Sequence, residues 1–322
     1  MGPSAALSNA LKPAEGAGEG FSQQVCRPFL LEAQNPDGGW GYRPTAQSAI
    51  EPTAWALLAL GKTEKRSDAI ERGLAWLLGC QNADGAWPSR PQTIEGSWVT
   101  SLAALALGAL EGPKPAIAAA AGWICQRHSG ERAFRMRLAR LIPRKKVVEQ
   151  DLSLEGWSWT PGTSSWVEPT AASLVFLHHL PSEMAPAEAV ERRRMGETLL
   201  YDRMCQPGGW NSGNPKIYGV SGIPQIGPTA WALIALQEYA GREENRRSLD
   251  WLAANFDSIR GPSSVALAQI ALEASGRPKP SIEGTLAAQF ASHGFLRSVL
   301  AISQAAFALG PGPDVLRWFS KR

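Results

Sequence analysis

The chain has 322 residues, 44% of them hydrophobic and 19% charged, a balance that supports a sizeable core and excludes a disordered or membrane-spanning composition. Its net charge of +3 is too small to draw it to nucleic acid, and no window approaches the roughly 18 uninterrupted apolar residues of a spanning helix. The first 25 residues have no basic start followed by an apolar stretch, and "MGPSAA" lacks the hydroxyl of a myristoylation signal, so a soluble, cytoplasmic protein is expected.

Residues 1–20 read as a flexible tail. A helical run then leads into "FLLEAQNPDGGWGY" (Phe29 to Tyr42), a Gln, a Gly-rich turn and a Trp, followed by a second run opening with "IEPTAW" (Ile50 to Trp55). The unit repeats as "WLLGCQNADGAWPS" (Trp76 to Ser89) with "IEGSWV" (Ile94 to Val99), and Glu51 and Glu95 stand 44 positions apart, a period typical of stacked supersecondary units. In both turns Asp-Gly ends the helix and allows positive φ, after which the Trp folds back onto the helical layer.

Between the second and third units lies an insertion at 129–153, whose segment 131–146 is basic and amphipathic: Arg132, Arg135, Arg137, Arg140, Arg144, Lys145 and Lys146 alternate with apolar residues. Such a segment either rests on an anionic membrane surface, placing the protein at the inner face of the membrane, or is a solvated helix. The third unit follows as "EGWSWTPGTSSW" (Glu155 to Trp166) and "VEPTAA" (Val167 to Ala172). The fourth is "MCQPGGWNSG" (Met204 to Gly213) and "IGPTAW" (Ile226 to Trp231), joined by a long Gly-rich loop in which Tyr218 is placed to act as a lid. Two further helix-turn-helix units, Ser248 to Gly276 and Gly284 to Gly310, keep the rhythm without the Gln and Trp.

No segment alternates as a strand would, so the chain reads as all-α: one domain over 21–322 in which inner helices surround an axis and outer helices alternate with them. Proline at the first helical position would make Glu51 and Glu168 N-cap residues, with Gly227 a tolerated substitute. Cys80, Cys125 and Cys205 recur at similar repeat positions, as small packing residues do, and lack zinc-ligand spacing. His178 and His179 fit the end of a helix. Neither a metal nor another cofactor is expected.

The Gln–Trp pairs Gln34…Trp40, Gln81…Trp87 and Gln206…Trp210, set in helical repeats over roughly residues 25 to 310, resemble the squalene-cyclase and prenyltransferase repeat family. The resemblance implies an α/α toroid of the α6/α6 type. It also implies an apolar, isoprenoid-like ligand, and for the cyclases an Asp-x-Asp-Asp-Thr-Ala stretch whose middle Asp protonates an alkene or epoxide. Laid on that stretch, "WVEPTA" and "AIEPTA" keep a carboxylate only at the centre, Glu168 and Glu51.

Two functions stay open. In the first, Glu168, Glu51 and Glu95 enter one cavity from successive inner helices, repel one another, and one is held neutral as a general acid. Trp55, Trp98, Trp166 and Trp231 then form an aromatic wall for an apolar ligand or a carbocation, with Tyr218 above. In the second, the same toroid binds an isoprenoid, lipid or protein partner without transforming it, and the glutamates only cap helices.

Overall fold

The runs that open with the recurring phrase are apolar all round, and each becomes an inner helix. The computed structural model describes residues 20–64, 66–130 and 150–310. After a π-helical turn, Ser22–Cys26, come α1 (Arg27–Glu32), α2 (Ile50–Gly61), α3 (Asp68–Gly79), α4 (Val99–Ala109), α5 (Lys114–Gln126) and α6 (Val167–His179). They continue as α7 (Ala189–Asp202), α8 (Ile226–Ala235), α9 (Glu243–Asn255), α10 (Pro262–Ala274), α11 (Ile282–His293) and α12 (Val299–Leu309). The even-numbered helices form a closed inner ring, each packed on the next, with α12 returning to α2. The odd-numbered helices form the outer layer, α3 packing on α2, α5 on α4, α7 on α6 and α9 on α8. Inner α4 is buried along its whole length, whereas outer α3 buries one face, Ala69, Ile70, Gly73 and Leu77. The expected α/α toroid is what the chain forms. Among the described residues the only strands are a short hairpin, β1 (Lys216–Ile217) and β2 (Val220–Ser221).

The recurring threonine explains much of the repeated phrase. The backbone N–H of Trp40 donates to Thr53 Oγ1 at 2.9 Å, and that hydroxyl donates back to the Trp40 carbonyl at 3.2 Å. The same reciprocal pair joins Trp87 to Thr100, Trp157 to Thr170 and Trp210 to Thr229. All of these residues are buried, so each pair satisfies main-chain groups that would cost about 1–3 kcal/mol if left unpaired. Thus the turn tryptophan is tied to the start of its inner helix, and its indole N–H donates to the preceding outer helix, as Trp40 does to the Leu30 carbonyl at 2.7 Å.

Gln34 and Gln81 behave as the Gln–Trp pattern implies. Each side-chain amide bridges its own turn, at Gly38 or Gly85, to the next outer helix, at Ala69 or Ala116. Both glycines have positive φ, +93° and +90°, and press against the backbone of Arg72 and Ala119, so no side chain fits there. Gln206 does not follow. It is exposed in the turn and accepts only from the Ser221 hydroxyl at 3.0 Å. The cysteines are all free, with Cys125 and Cys205 buried. His178 is buried against Glu197 at 3.0 Å rather than simply ending its helix.

In the third repeat the insertion interrupts the motif. Trp157 Nε1 donates to a carbonyl 33 residues upstream, that of Ile124, where the other turn tryptophans reach back 10. A buried charge cluster closes this seam. The Glu155 carboxylate, 2% exposed, accepts from the Ser129 N–H at 2.7 Å and meets His128 Nδ1 at 3.1 Å and Arg192 at 3.7 Å. Arg192 in turn donates to the Arg127 and Gly156 carbonyls, both at 3.1 Å, and its guanidinium lies 4.3 Å from the Trp157 ring centre. The basic segment 131–146, like all but the last residue of the tail 1–20, lies outside the described residues.

Candidate functional site

Helical register decides what faces the axis. Trp55 and Leu58 from α2, Leu102 and Leu105 from α4, Val175 from α6, Trp231 and Ile234 from α8, Ile270 from α10 and Phe307 from α12 meet there and leave about 20 Å³. That is room for about one water molecule. Trp55 packs edge-on against Trp231 at 6.0 Å and Phe307 at 5.8 Å, and all three are buried. The aromatic-lined hollow expected from the sequence is therefore reduced at this level to a small space that Trp55 and Trp231 line and largely plug.

Beyond the plug lie the first turns of the inner helices. Glu51 lies four residues before Trp55, Trp98 four before Leu102, Gly227 four before Trp231, and Glu168 seven before Val175. Each spacing returns to the same helix face, so these positions ring the mouth of the toroid, here called the cup, about 6 Å beyond the plug for Glu51, Trp98 and Gly227 and about 10 Å for Glu168. All four are partly exposed. Neither glutamate caps a helix. The N-caps are Ala49 and Trp166, extended residues without a side-chain cap bond, and the acids sit inside the first turn. The helices begin ahead of the Pro-Thr step, which is why the N-cap expectation fails.

The carboxyls are held differently. Glu51 Oε2 accepts from the Tyr42 hydroxyl at 2.5 Å, and the Tyr42 carbonyl accepts from the first N–H of α12 at 3.0 Å, tying this acid to the point where the ring closes. Burial pushes the Glu51 carboxyl above its ordinary 4.5, opposed by the Tyr42 bond. Tyr42 itself is raised, by burial first and then by the Glu51 charge. Glu168 Oε1 faces the Ser212 hydroxyl at 3.4 Å, while its Oε2 is buried and, among the described residues, has no hydrogen-bond partner. Burial raises this carboxyl too, against the pull of its own backbone N–H and of Ser212. Desolvation, not mutual repulsion, lifts both. Glu95 is fully in solvent, in the loop before α4, and does not join them.

The remaining sequence candidates divide. Trp98 is half-buried at the cup and packs edge-on against Trp159 at 4.8 Å. Trp166 walls a groove beside Glu168 that runs under the loop 211–225. Tyr218 is 77% exposed at the hairpin tip and covers neither. Tyr42 and Ser212, which set the state of the two acids, escaped sequence reasoning because their partners are separated by loops. Among the described residues no three His, Cys, Asp or Glu side chains gather as metal ligands.

Raised carboxyls have a consequence for stability. A group whose folded value lies above its unfolded one favours folding fully below the unfolded value, and that contribution is lost as pH rises through the folded value. Wild-type protein should therefore lose stability, relative to Glu51→Gln/Glu168→Gln, as pH climbs above about 4.5. Urea midpoints for both proteins between pH 4.5 and 8 check this; parallel curves would show that the carboxyls are ordinary.

The fold is an α/α toroid, and its resemblances are to terpenoid cyclases. Residues 16–97 match the family described as the squalene-hopene cyclase C-terminal domain. Among solved structures, one of a variant of the type II terpene cyclase MstE from Scytonema, in complex with merosterolic acid A (product), superposes with a TM-score of 0.56 at 14% identity, covering 89% of this chain and 95% of that one. A second MstE variant, in complex with geranylgeranyl dihydroxybenzoate (substrate), gives 0.51 at 18% identity over 86% and 77%. A protein from Actinoplanes gives 0.53 at 19% identity over 84% and 80%. No curated protein sequence matches. The resemblance read from the repeats stands: the chain is squalene-cyclase-like over residues 16–97, and its toroid has the fold of type II terpene cyclases.

Proposed function

We propose that the protein is an isoprenoid-processing enzyme of the terpenoid-cyclase kind, in which Glu168 protonates a carbon–carbon double bond presented at the cup. The observation that carries this is the Glu168 carboxyl, raised by burial, with one oxygen enclosed and unbonded on the cup-facing side of α6. In the step the carboxyl O–H bond breaks, a C–H bond forms, and the alkene pair leaves a carbocation on the neighbouring carbon. The carboxylate left behind is met by Ser212 and by its own backbone N–H. Trp98 and Trp166 present aromatic faces to the cation, each adding roughly 0.5–2 kcal/mol. Loss of a proton from an adjacent carbon completes an isomerisation; attack by a second double bond closes a ring and moves the cation to that bond's far carbon, and loss of a proton beside it completes a cyclisation. Glu51, engaged with Tyr42, is the second candidate acid, and Glu95, out in solvent, the third. Geranylgeranyl dihydroxybenzoate, the substrate bound by MstE, exemplifies the apolar isoprenoid chain of such a ligand.

The filled axis favours a second reading, a toroid that binds an apolar molecule or protein without transforming it. Incubation with squalene, oxidosqualene and geranylgeranyl diphosphate followed by mass spectrometry separates the two. A new isomer or ring, lost on Glu168→Gln, is expected; retained lipid without turnover would leave the binding role. Membrane contact through residues 131–146 belongs to the same proposal. Exposed Ile94, Tyr218, Val220, Ile223 and Leu296 all lie in connections that lead from an outer to an inner helix, as do Gly130 and Gln150, which flank the segment. Sedimentation with anionic vesicles that survives deletion of 131–146 would remove it.

A further inference from the structure

Beside Glu168 lies an open groove of about 490 Å³, between Trp166 and the loop that carries the hairpin. Its polar walls are Asn211, Ser212, Asn214, Ser221 and Gln225: amides and hydroxyls, with no charged side chain among the described lining residues. The groove is built rather than incidental. Asn211 Oδ1 accepts from the Gly213 and Asn214 N–H groups at 3.1 and 2.9 Å, and its amide donates to the Asn214 carbonyl at 2.8 Å, which shapes the loop. The Gly222 N–H donates to Pro215 at 2.7 Å, and a Cβ on Gly222 would lie 2.5 Å from the Asn211 amide nitrogen. The loop is pinned to the acid-bearing helix, since the Val167 N–H donates to the Ser212 carbonyl at 3.0 Å. The Ser212 hydroxyl stands between Glu168 Oε1 at 3.4 Å and Gln225 Oε1 at 3.5 Å, so one side chain joins groove to acid. The side-chain N–H groups of Asn214 and Gln225 make no bond within the described protein.

An aromatic face flanked by amide and hydroxyl groups matches an uncharged hydroxylated group, whereas recognition of a diphosphate rests on Arg, Lys or a metal; the described lining holds no Arg or Lys, and Lys216 stands opposite Ser221 on the hairpin. We infer that this groove is the head-group subsite of the mouth site and takes an uncharged, hydroxyl-bearing head attached to the apolar chain. The inference rests on the cup being a ligand site, and it narrows the substrate class to isoprenoids with a neutral polar head.

The test uses the full-length protein and probes sharing one chain: octyl β-glucoside, 1-octanol and octyl phosphate, titrated calorimetrically below their micelle concentrations. Octyl glucoside should bind about tenfold more tightly than octanol, the equivalent of one or two net hydrogen bonds. That preference should vanish in Trp166→Ala and Asn214→Ala while octanol binding persists. Preference for octyl phosphate overturns the inference. Equal affinities for all three probes also overturn it but leave the cup as an apolar site. Absence of binding by any probe, with Glu168→Gln and wild type giving identical product profiles, removes the mouth site itself. Circular dichroism of each variant, and Trp166→Phe as a ring-retaining control, separate loss of the subsite from loss of fold.

Discussion

Trp55→Ala should destabilise the protein by about 3–5 kcal/mol, the range for deleting a large buried aromatic side chain. At about 2.1 cal/mol/K of unfolding entropy per residue, that lowers Tm by about 4–7 °C in a calorimetric scan. The reason is specific to the axis. Trp55 touches Trp231 and Phe307 edge-on, and side chains from all six inner helices converge on the same small space, so no single neighbour can relax into the void. Trp55→Phe should cost well under half as much. It leaves a smaller void and removes an indole N–H that is buried without an acceptor among the described residues. Equal losses for Ala and Phe would mean that the plug does not hold the ring together. Trp55→Ala should also admit small apolar molecules to the axis, which thermal-shift measurements in the presence of benzene or limonene would register as a regained part of the lost Tm.

Arg192→Met should be of similar size, about 3–5 kcal/mol, because it strands the Glu155 carboxylate in the interior. Both side chains are nearly inaccessible, and Arg192 also holds the Arg127 and Gly156 carbonyls across the insertion seam. Arg192→Lys should not rescue it, since an ammonium cannot reach both carbonyls while lying flat on Trp157. The pair Arg192→Met/Glu155→Gln should lose less than the sum of its single changes, for replacing both partners removes the uncompensated charge. Urea unfolding of the four proteins completes the cycle; strictly additive losses would refute a coupled pair.

The two predictions mark what one dimension can and cannot show. Repetition was legible. Four turn tryptophans, Asp-Gly turns and Ala-Leu runs without a polar face require paired helices in a ring, because such runs are stable only when enclosed. Gln34 and Gln81 could be assigned from position alone, as their partners are a turn and the next helix start. Gln206 could not, since its turn, "QPGGW", is two residues shorter than "QNPDGGW" and "QNADGAW" and lacks their Asp-Gly, and where its side chain then goes depends on the hairpin that brings Ser221 to it. The seam at Glu155 was invisible for the same reason: its partners lie 26 and 37 residues away and come together only after the insertion has looped out.

For the candidate site, sequence by itself determined that glutamates recur at the starts of inner helices, since local pattern and turn chemistry place those starts. Only the tertiary structure decided what each glutamate is: Glu95 solvated, Glu51 bonded to Tyr42, Glu168 with an enclosed free oxygen. It also decided that the axis is filled. Side-chain volumes are written in the sequence, but whether Trp55, Trp231 and Phe307 interlock or stand apart depends on the radius at which six helices close. Solvation of a carboxyl and the width of a cavity are set by neighbours distant in the chain, and for that physical reason they belong to the fold rather than to any stretch of residues.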